Sequence, residues 1–269
     1  MSELLEGLLA DLAAEGDALR ATVEQLGEVG WTTQTPAPGW TVATQVMHLA
    51  WTDEVAVLAA RCHESGEAKQ AWDDVVLAAI EDPEGYVDTA ALALAGLPRD
   101  QALERWAAAR AELRAALREL PDGQRMPWFG PPMSAASMAT ARFMETWAHA
   151  LDVYDAAGGR PAPTDRIRHV AHLGVRTRDY AFSVHGLEPP AEEFFVELEA
   201  PSGELWSWGP GAAAQSVRGP AYDFCLLVTQ RANRADTLLV ATGDDAERWL
   251  GIAQAFAGPP GPGREPSGA

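Results

Sequence analysis

The sequence predicts an α+β protein: a four-helix bundle in its first part, and a smaller unit of strands and helices in its second. Three observations carry this. Before residue 158, apolar residues recur at steps of three and four over four long stretches, the mark of helices with one buried stripe. One extended connection joins two of those stretches, as bundle topologies allow. After residue 190 the pattern changes to alternation broken by turn residues, the mark of strands.

The elements follow in order. Over 3–28, Leu5, Leu8, Leu12, Leu19, Val23 and Leu26 fall on one helical face, and the breaker-rich TQTPAPGW ends the run. Thr41 is placed to N-cap a second helix over about 41–64, because its hydroxyl can accept from an exposed N–H of the first turn. A helical stretch over 68–97 is interrupted at Asp82-Pro83, where proline denies the ladder a donor. From 99 to 119, Leu103, Trp106, Arg110, Leu113, Leu117 and Leu120 again step by three and four. PDGQRMPWFGPPM is a long loop, and loops of that length in compact domains are often functional; its Trp128-Phe129 is a candidate lid. A last bundle helix covers about 134–157 and stops at Gly158-Gly159, a C-capping pair.

Beyond that point a hairpin is expected, Phe195 to Glu199 and Leu205 to Trp208 around a Pro-Ser-Gly turn. A further strand is expected near 214–218, a helix over 221–230, a β-rich segment over 237–242 and a helix over 245–256. The organisation is therefore a bundle over 1–158, an α+β unit over 164–258 and a disordered tail over 259–269, whose GPPGPGREPSGA is too poor in apolar residues to pack.

Composition excludes several functions. Twenty Lys and Arg against 39 Asp and Glu leave a net charge of −19, which repels nucleic acid and anionic membrane surfaces alike. The N-terminus lacks the basic start and apolar core of a signal peptide, and no run approaches the roughly 20 apolar residues of a membrane span. Cys62 and Cys225 are far apart and form no CxxC pair. They read as reduced thiols of a cytoplasmic protein acting on a small molecule. Nothing in the sequence speaks to oligomeric state.

The chemistry-bearing residues sit in RFMETWAHALDVYD. Glu145 and His149 are four apart, so their side chains rise from one helical face. His48, in WTVATQVMHLAWTDE, is the histidine of the second helix. If those two helices are neighbours, two imidazoles and a carboxylate meet in the bundle interior, the donor set that holds catalytic zinc or non-haem Fe(II) with coordination positions left open. A plainer arrangement is also open: Arg142, three residues before Glu145, can take the carboxylate as an ion pair. His169 and His172, three apart, form a second possible ligand pair, and no acidic residue shares their face.

PGWTVATQVMHLAW and ARFMETWAHALDVYDA together resemble the two signatures of the mycothiol-dependent maleylpyruvate isomerase N-terminal domain, within the DinB-like superfamily, over roughly residues 1–158. The second half, through RGPAYDFCLLVTQRANRADT and ATGDDAERWLGIAQAFAGPPG, is similar to a subgroup known only as metal-binding, with a sterol-carrier-like C-terminal domain. The resemblance implies one divalent metal, zinc first, held by His48, Glu145 and His149. Asp152, one turn beyond His149, is placed to orient that imidazole from behind the ligands. The resemblance also implies a low-molecular-weight thiol such as mycothiol as co-substrate. A divalent cation stabilises the thiolate, which then adds reversibly to an activated double bond or remains on an electrophile as an S-transfer product.

An anionic substrate would call for arginines with bidentate geometry; Arg142 and Arg231 are the candidates. Trp40, Trp51, Trp128, Phe129 and Trp147 are candidates for the pocket wall. Two other functions fit the same scaffold: a thiol-independent Lewis-acid tailoring enzyme of secondary metabolism, and a non-catalytic metal- or ligand-binding protein. The QAFAGPPG ending goes with the metal-binding subgroup rather than with the isomerase, so the resemblance speaks more for a metal than for maleylpyruvate.

Overall fold

The computed structural model describes residues 2–83 and 85–267. The chain divides into two compact units, Met1–Arg160 and Pro161–Ala269. In the first, the described residues form α1 (Glu3–Gln25), α2 (Gly27–Trp31), α3 (Val42–Arg61), α4 (Gly66–Glu81), α5 (Tyr86–Ala95), α6 (Arg99–Glu119) and α7 (Ala135–Ala156). Four of them make the bundle: α1 packs along α7, and α3 packs against both α6 and α7. Leu9, Leu19 and Val23 of α1, Val46, Met47 and Leu49 of α3, Trp106, Leu113 and Leu117 of α6, and Phe143 and Val153 of α7 fill the interior.

Local chemistry sets the helix ends. The N-cap expected at Thr41 is present as a reciprocal box: Thr44 N donates to Thr41 Oγ1 at 3.3 Å and Thr41 N to Thr44 Oγ1 at 3.4 Å. Ser134 caps α7 in one direction, accepting from Ser137 N at 3.2 Å. At its other end Gly158 takes φ +91°, a conformation open to glycine, and Gly159 N closes on Tyr154 O at 3.0 Å. The single helix expected over 3–28 is two, because Gly27, the first residue of α2, turns to φ +63°. The break at Asp82 separates α4 from α5, with Asp82 Oδ1 accepting from Gly85 N at 2.9 Å.

The second unit opens with a 3₁₀ turn (Asp165–Ile167) and the short helices α8 (Arg168–Arg176) and α9 (Arg178–Val184). β1 (Phe195–Glu199) and β2 (Leu205–Trp208) form the expected antiparallel hairpin, turned at Gly203 with φ +87°. β3 (Ser216–Pro220) lies parallel to β1 on its other side, and β4 (Val240–Thr242) pairs antiparallel with β3, giving the order β2-β1-β3-β4. α10 (Ala221–Val228) follows β3, and α11 (Asp244–Ile252) follows β4. The helix expected to reach 256 stops at Ile252. There Ala253 turns extended (ψ 131°), Ala255 N donates to Val228 O at 2.7 Å, and Thr177 Oγ1 donates to Gln254 O at 2.7 Å. These bonds, from Thr177 between α8 and α9 and to Val228 of α10, replace the helical ladder. Phe194, Phe224 and the enclosed Trp249 meet edge to face at the centre.

Of the expected disordered tail, residues 268 and 269 lie outside the described residues. From 259 to 267 no helix or strand forms. Asn233 Nδ2 donates to Arg264 O at 2.7 Å, and Ser267 N and Oγ donate to Asp236 at 2.9 and 2.6 Å. Among the described residues, no helix is long and apolar enough to cross a membrane.

Candidate metal centre

The facing stripes of α3 and α7 carry the site. On α7, Arg142, Glu145, His149 and Asp152 follow one another at steps of three, four and three; on α3, Gln45, His48 and Thr52 do the same at three and four. Each stripe is a single helical face, and α3 packs on α7 so that the faces meet. One ligand-type atom each from His48, Glu145 and His149 lies within 4.8 Å of the others, and among the described residues this is the group of three so arranged. The two imidazole centroids are 4.5 Å apart, and His48 Nε2 stands 3.3 Å from Glu145 Oε2.

Charge around the carboxylate is organised by Arg142. This side chain is 1% exposed, donating from Nη1 to Glu145 Oε2 at 2.7 Å and from Nε to Asp53 Oδ1 at 2.9 Å. Burial alone would raise the Glu145 pKa. The Arg142 guanidinium, the His48 hydrogen bond and the two imidazoles outweigh it and hold the carboxyl well below the usual range. Burial pushes the Asp53 carboxyl upward, against the pull of Arg142. The i−3 ion pair expected as an alternative to metal ligation is thus present. It engages one oxygen of Glu145.

Aromatic rings enclose the imidazoles. Trp40, from the loop before α3, stacks on His149 at 5.7 Å and 16° and tilts over His48 at 5.2 Å. Trp51 approaches His48 at 6.3 Å and meets Tyr86 of α5 edge-on at 5.3 Å. Trp128 and Phe129, the candidate lid, pack on Trp72 of α4 at 6.1 and 5.6 Å, while Trp147 is enclosed in the bundle.

Gln45 was not visible as a site residue in the sequence. It is fully enclosed, with Oε1 2.5 Å from His149 Nδ1 and Nε2 2.9 Å from Thr35 Oγ1 and 3.5 Å from Asp152 Oδ2. It stands between His149 and Asp152, the residue expected to orient that imidazole. The one available signal was its place as the amide of α3, three residues before His48.

The remaining candidates lie elsewhere. His169 and His172 are both on α8, where His172 Nδ1 accepts from Trp208 Nε1 at 3.3 Å. Burial and the neighbouring Arg176, His169 and Arg168 lower the pKa of His172. Arg231 is in the second unit, just past α10, its Nη1 donating to Thr229 O at 2.7 Å.

Comparison with known proteins places this geometry in context. The family model of the mycothiol maleylpyruvate isomerase N-terminal domain matches residues 12–154, which include every residue of the cluster. A second model, described as wyosine base formation, matches residues 190–242, over the sheet of the second unit. Two uncharacterized proteins of Mycobacterium tuberculosis, from strains CDC 1551 and H37Rv, are each 56% identical over 256 residues, covering 95% of this chain and 97% of theirs. Among solved structures, the mycothiol-dependent maleylpyruvate isomerase and a mutant of it align at TM-score 0.56. They are 17% and 16% identical, over 90% of this chain and 95% of theirs. At that identity the likeness is one of fold, helix-rich with a small sheet in the C-terminal part.

Proposed function

The chain belongs to the family defined by the mycothiol maleylpyruvate isomerase N-terminal domain, and from that premise we propose a divalent-metal-dependent enzyme that uses a low-molecular-weight thiol on a small electrophile. The ligands are His48, Glu145 and His149, the metal is zinc, and the thiol is mycothiol or a close analogue. The reaction is cis–trans isomerisation or S-transfer. One observation carries the reading: three ligand-type atoms from two helices converge within 4.8 Å inside a bundle. Two imidazoles and a carboxylate are the donors that catalytic zinc takes, with a coordination position left for a further ligand.

The residues present fit such a group. A carboxylate at this depth is costly unless paired, and Arg142 engages only Oε2 of Glu145. When bound there, a divalent cation supplies Lewis acidity that lowers the pKa of an entering thiol and makes its thiolate available near neutral pH. Arg142 keeps Glu145 ionised and aimed, and Asp53 balances the guanidinium from behind. Trp40, stacked on His149, limits the imidazole's rotation and excludes water from that side. Because Arg142 is enclosed and held by two carboxylates, its part is to position Glu145. Asp152 supports the His149 side of the site through Gln45. His48 is buried and Glu145 and His149 are partly buried, and we place the enzyme in the cytoplasm, acting on a small molecule.

The test is metal content by mass spectrometry on untagged protein, for wild type and His149→Ala. One equivalent in wild type and none in the variant is expected, followed by turnover of an electrophile that requires both metal and thiol. Wild type that takes up no zinc on reconstitution would overturn the reading. Turnover that needs metal alone would turn it to Lewis-acid chemistry without a thiol.

A further inference from the structure

We propose that Gln45 is a positioning residue that locks His149 in its Nδ1–H tautomer and so assigns Nε2 as the metal-ligating nitrogen. The argument follows the direction of each hydrogen bond. Trp40 O is an acceptor only. It receives Thr35 N and Thr35 Oγ1, both at 2.8 Å, so the Thr35 hydroxyl has given its one hydrogen. Thr35 Oγ1 must therefore accept from the Gln45 group 2.9 Å away, and that group must be the amide nitrogen. Asp152 Oδ2, an acceptor at 3.5 Å from the same atom, asks for the same orientation. The carbonyl end of Gln45 is then the end facing His149 Nδ1 at 2.5 Å. A carbonyl oxygen cannot donate, so the hydrogen of that bond is on Nδ1. A neutral imidazole carries one N–H, and Nε2 is left with its lone pair.

The surroundings make this a fixed choice. Gln45 is fully enclosed, and it cannot flip without placing its oxygen against Asp152 Oδ2 and against a Thr35 hydroxyl that has already given its hydrogen to Trp40 O. His48 is the built-in contrast. Its Nδ1 is enclosed with no hydrogen-bond partner among the described residues, while its Nε2 faces Glu145. The site thus has one imidazole oriented by a buried amide and one oriented by its helix and by Trp40 and Trp51. Outer partners of this kind typically change metal affinity by about 10–100-fold when removed.

The ligand half of this inference rests on the metal reading above; the tautomer half does not, and the experiment separates them. Nitrogen-15 shifts of the histidine rings are recorded in metal-free full-length protein, at a pH above the ordinary imidazole range, for wild type, Gln45→Leu and Gln45→Glu. Wild type is expected to show His149 as a single species, protonated on Nδ1 and bare on Nε2. Gln45→Leu removes the acceptor and is expected to release His149 to a mixture of tautomers, with the His48 signals unmoved. Gln45→Glu keeps an acceptor oxygen at that place and is expected to retain the Nδ1–H form. Zinc titrated against a chelator is expected to bind about 10–100-fold more weakly to Gln45→Leu than to wild type. A wild-type His149 protonated on Nε2 overturns the proposal without recourse to any variant. So does a folded Gln45→Leu with both tautomer and zinc affinity unchanged. If wild type binds no zinc yet shows the Nδ1–H form, the metal reading fails and the orienting role of Gln45 stands.

Discussion

In the first unit the facing helices α3 and α7 enclose Gln45, His48, Asp53, Arg142 and Asp152; among the described residues the second unit encloses Ser216, Thr229 and Gln254, none of them charged. Apart from these groups and Glu15 of α1, both units are built largely from apolar side chains around a few large rings: Trp106 and Phe143 in the one, Phe224 and Trp249 in the other. Burying a charge costs several kcal/mol unless partners offset it, and packed apolar residues of similar volume would serve stability as well or better. The concentration of charge on this pair of helices is what the proposed metal site accounts for, and the second unit's interior shows what the same chain builds where packing alone matters. The aromatic cluster around Trp249 needs nothing beyond shape. The stripe from Arg142 to Asp152 needs partners of the right charge: Arg142 has Asp53 and Glu145, Glu145 also has His48, and His149 and Asp152 both meet Gln45.

The sharpest way to break this contrast is Arg142→Met. It leaves Asp53 enclosed without its guanidinium, at a cost of about 3–5 kcal/mol, and frees Glu145 from the bond that aims it. Chemical denaturation should show the first effect and zinc titration a loss of affinity. Stability close to wild type would mean that the buried pair is not what holds these charges.

Trp249→Ala should cost a similar or slightly smaller amount, about 3–5 kcal/mol, through the cavity it leaves. It should leave zinc affinity untouched. If it strips the metal as well, the division of labour between the units fails.

A smaller effect follows from Glu145. Its folded-state pKa is lowered from the ordinary 4.5 by Arg142 and the two imidazoles, against burial. Below pH 4.5 the unfolded chain then binds the proton more readily than the folded one. The contribution is complete above that pH and is lost as pH falls toward the folded value. Glu145→Gln should flatten this acid limb of the stability–pH curve in metal-free protein, measured against wild type by thermal unfolding. Parallel curves for the two proteins would show that the carboxylate is not held by its neighbours.

The sequence carried more of the bundle than of the second unit. Periodic apolar stripes and cap residues such as Thr41 and Gly158 act within a turn or two of chain, so α1, α3, α6 and α7 were legible to within a few residues. The β1–β2 hairpin was legible for the same reason, since a Pro-Ser-Gly turn joins its strands directly. The parallel pairing of β1 with β3 was not, because nothing local records which edge a later strand will choose. Nor was the end of α11 at Ile252, which is decided by hydrogen bonds to Val228 and Thr177, many residues away in the chain.

The site divides along the same line. By itself the sequence determined that Glu145 and His149 share a face, since four residues of α-helix return the chain to the same side, and that His48 rides on a helix of its own. Only the tertiary structure decided that α3 lies against α7, which brings His48 to within 3.3 Å of a carboxylate 97 residues away. It also decided that Arg142 closes on both Asp53 and Glu145, and that Gln45 stands between His149 and Asp152. A helix repeat is written into local spacing, whereas the partner of a polar stripe depends on which two apolar surfaces pack first, and that depends on the whole chain at once.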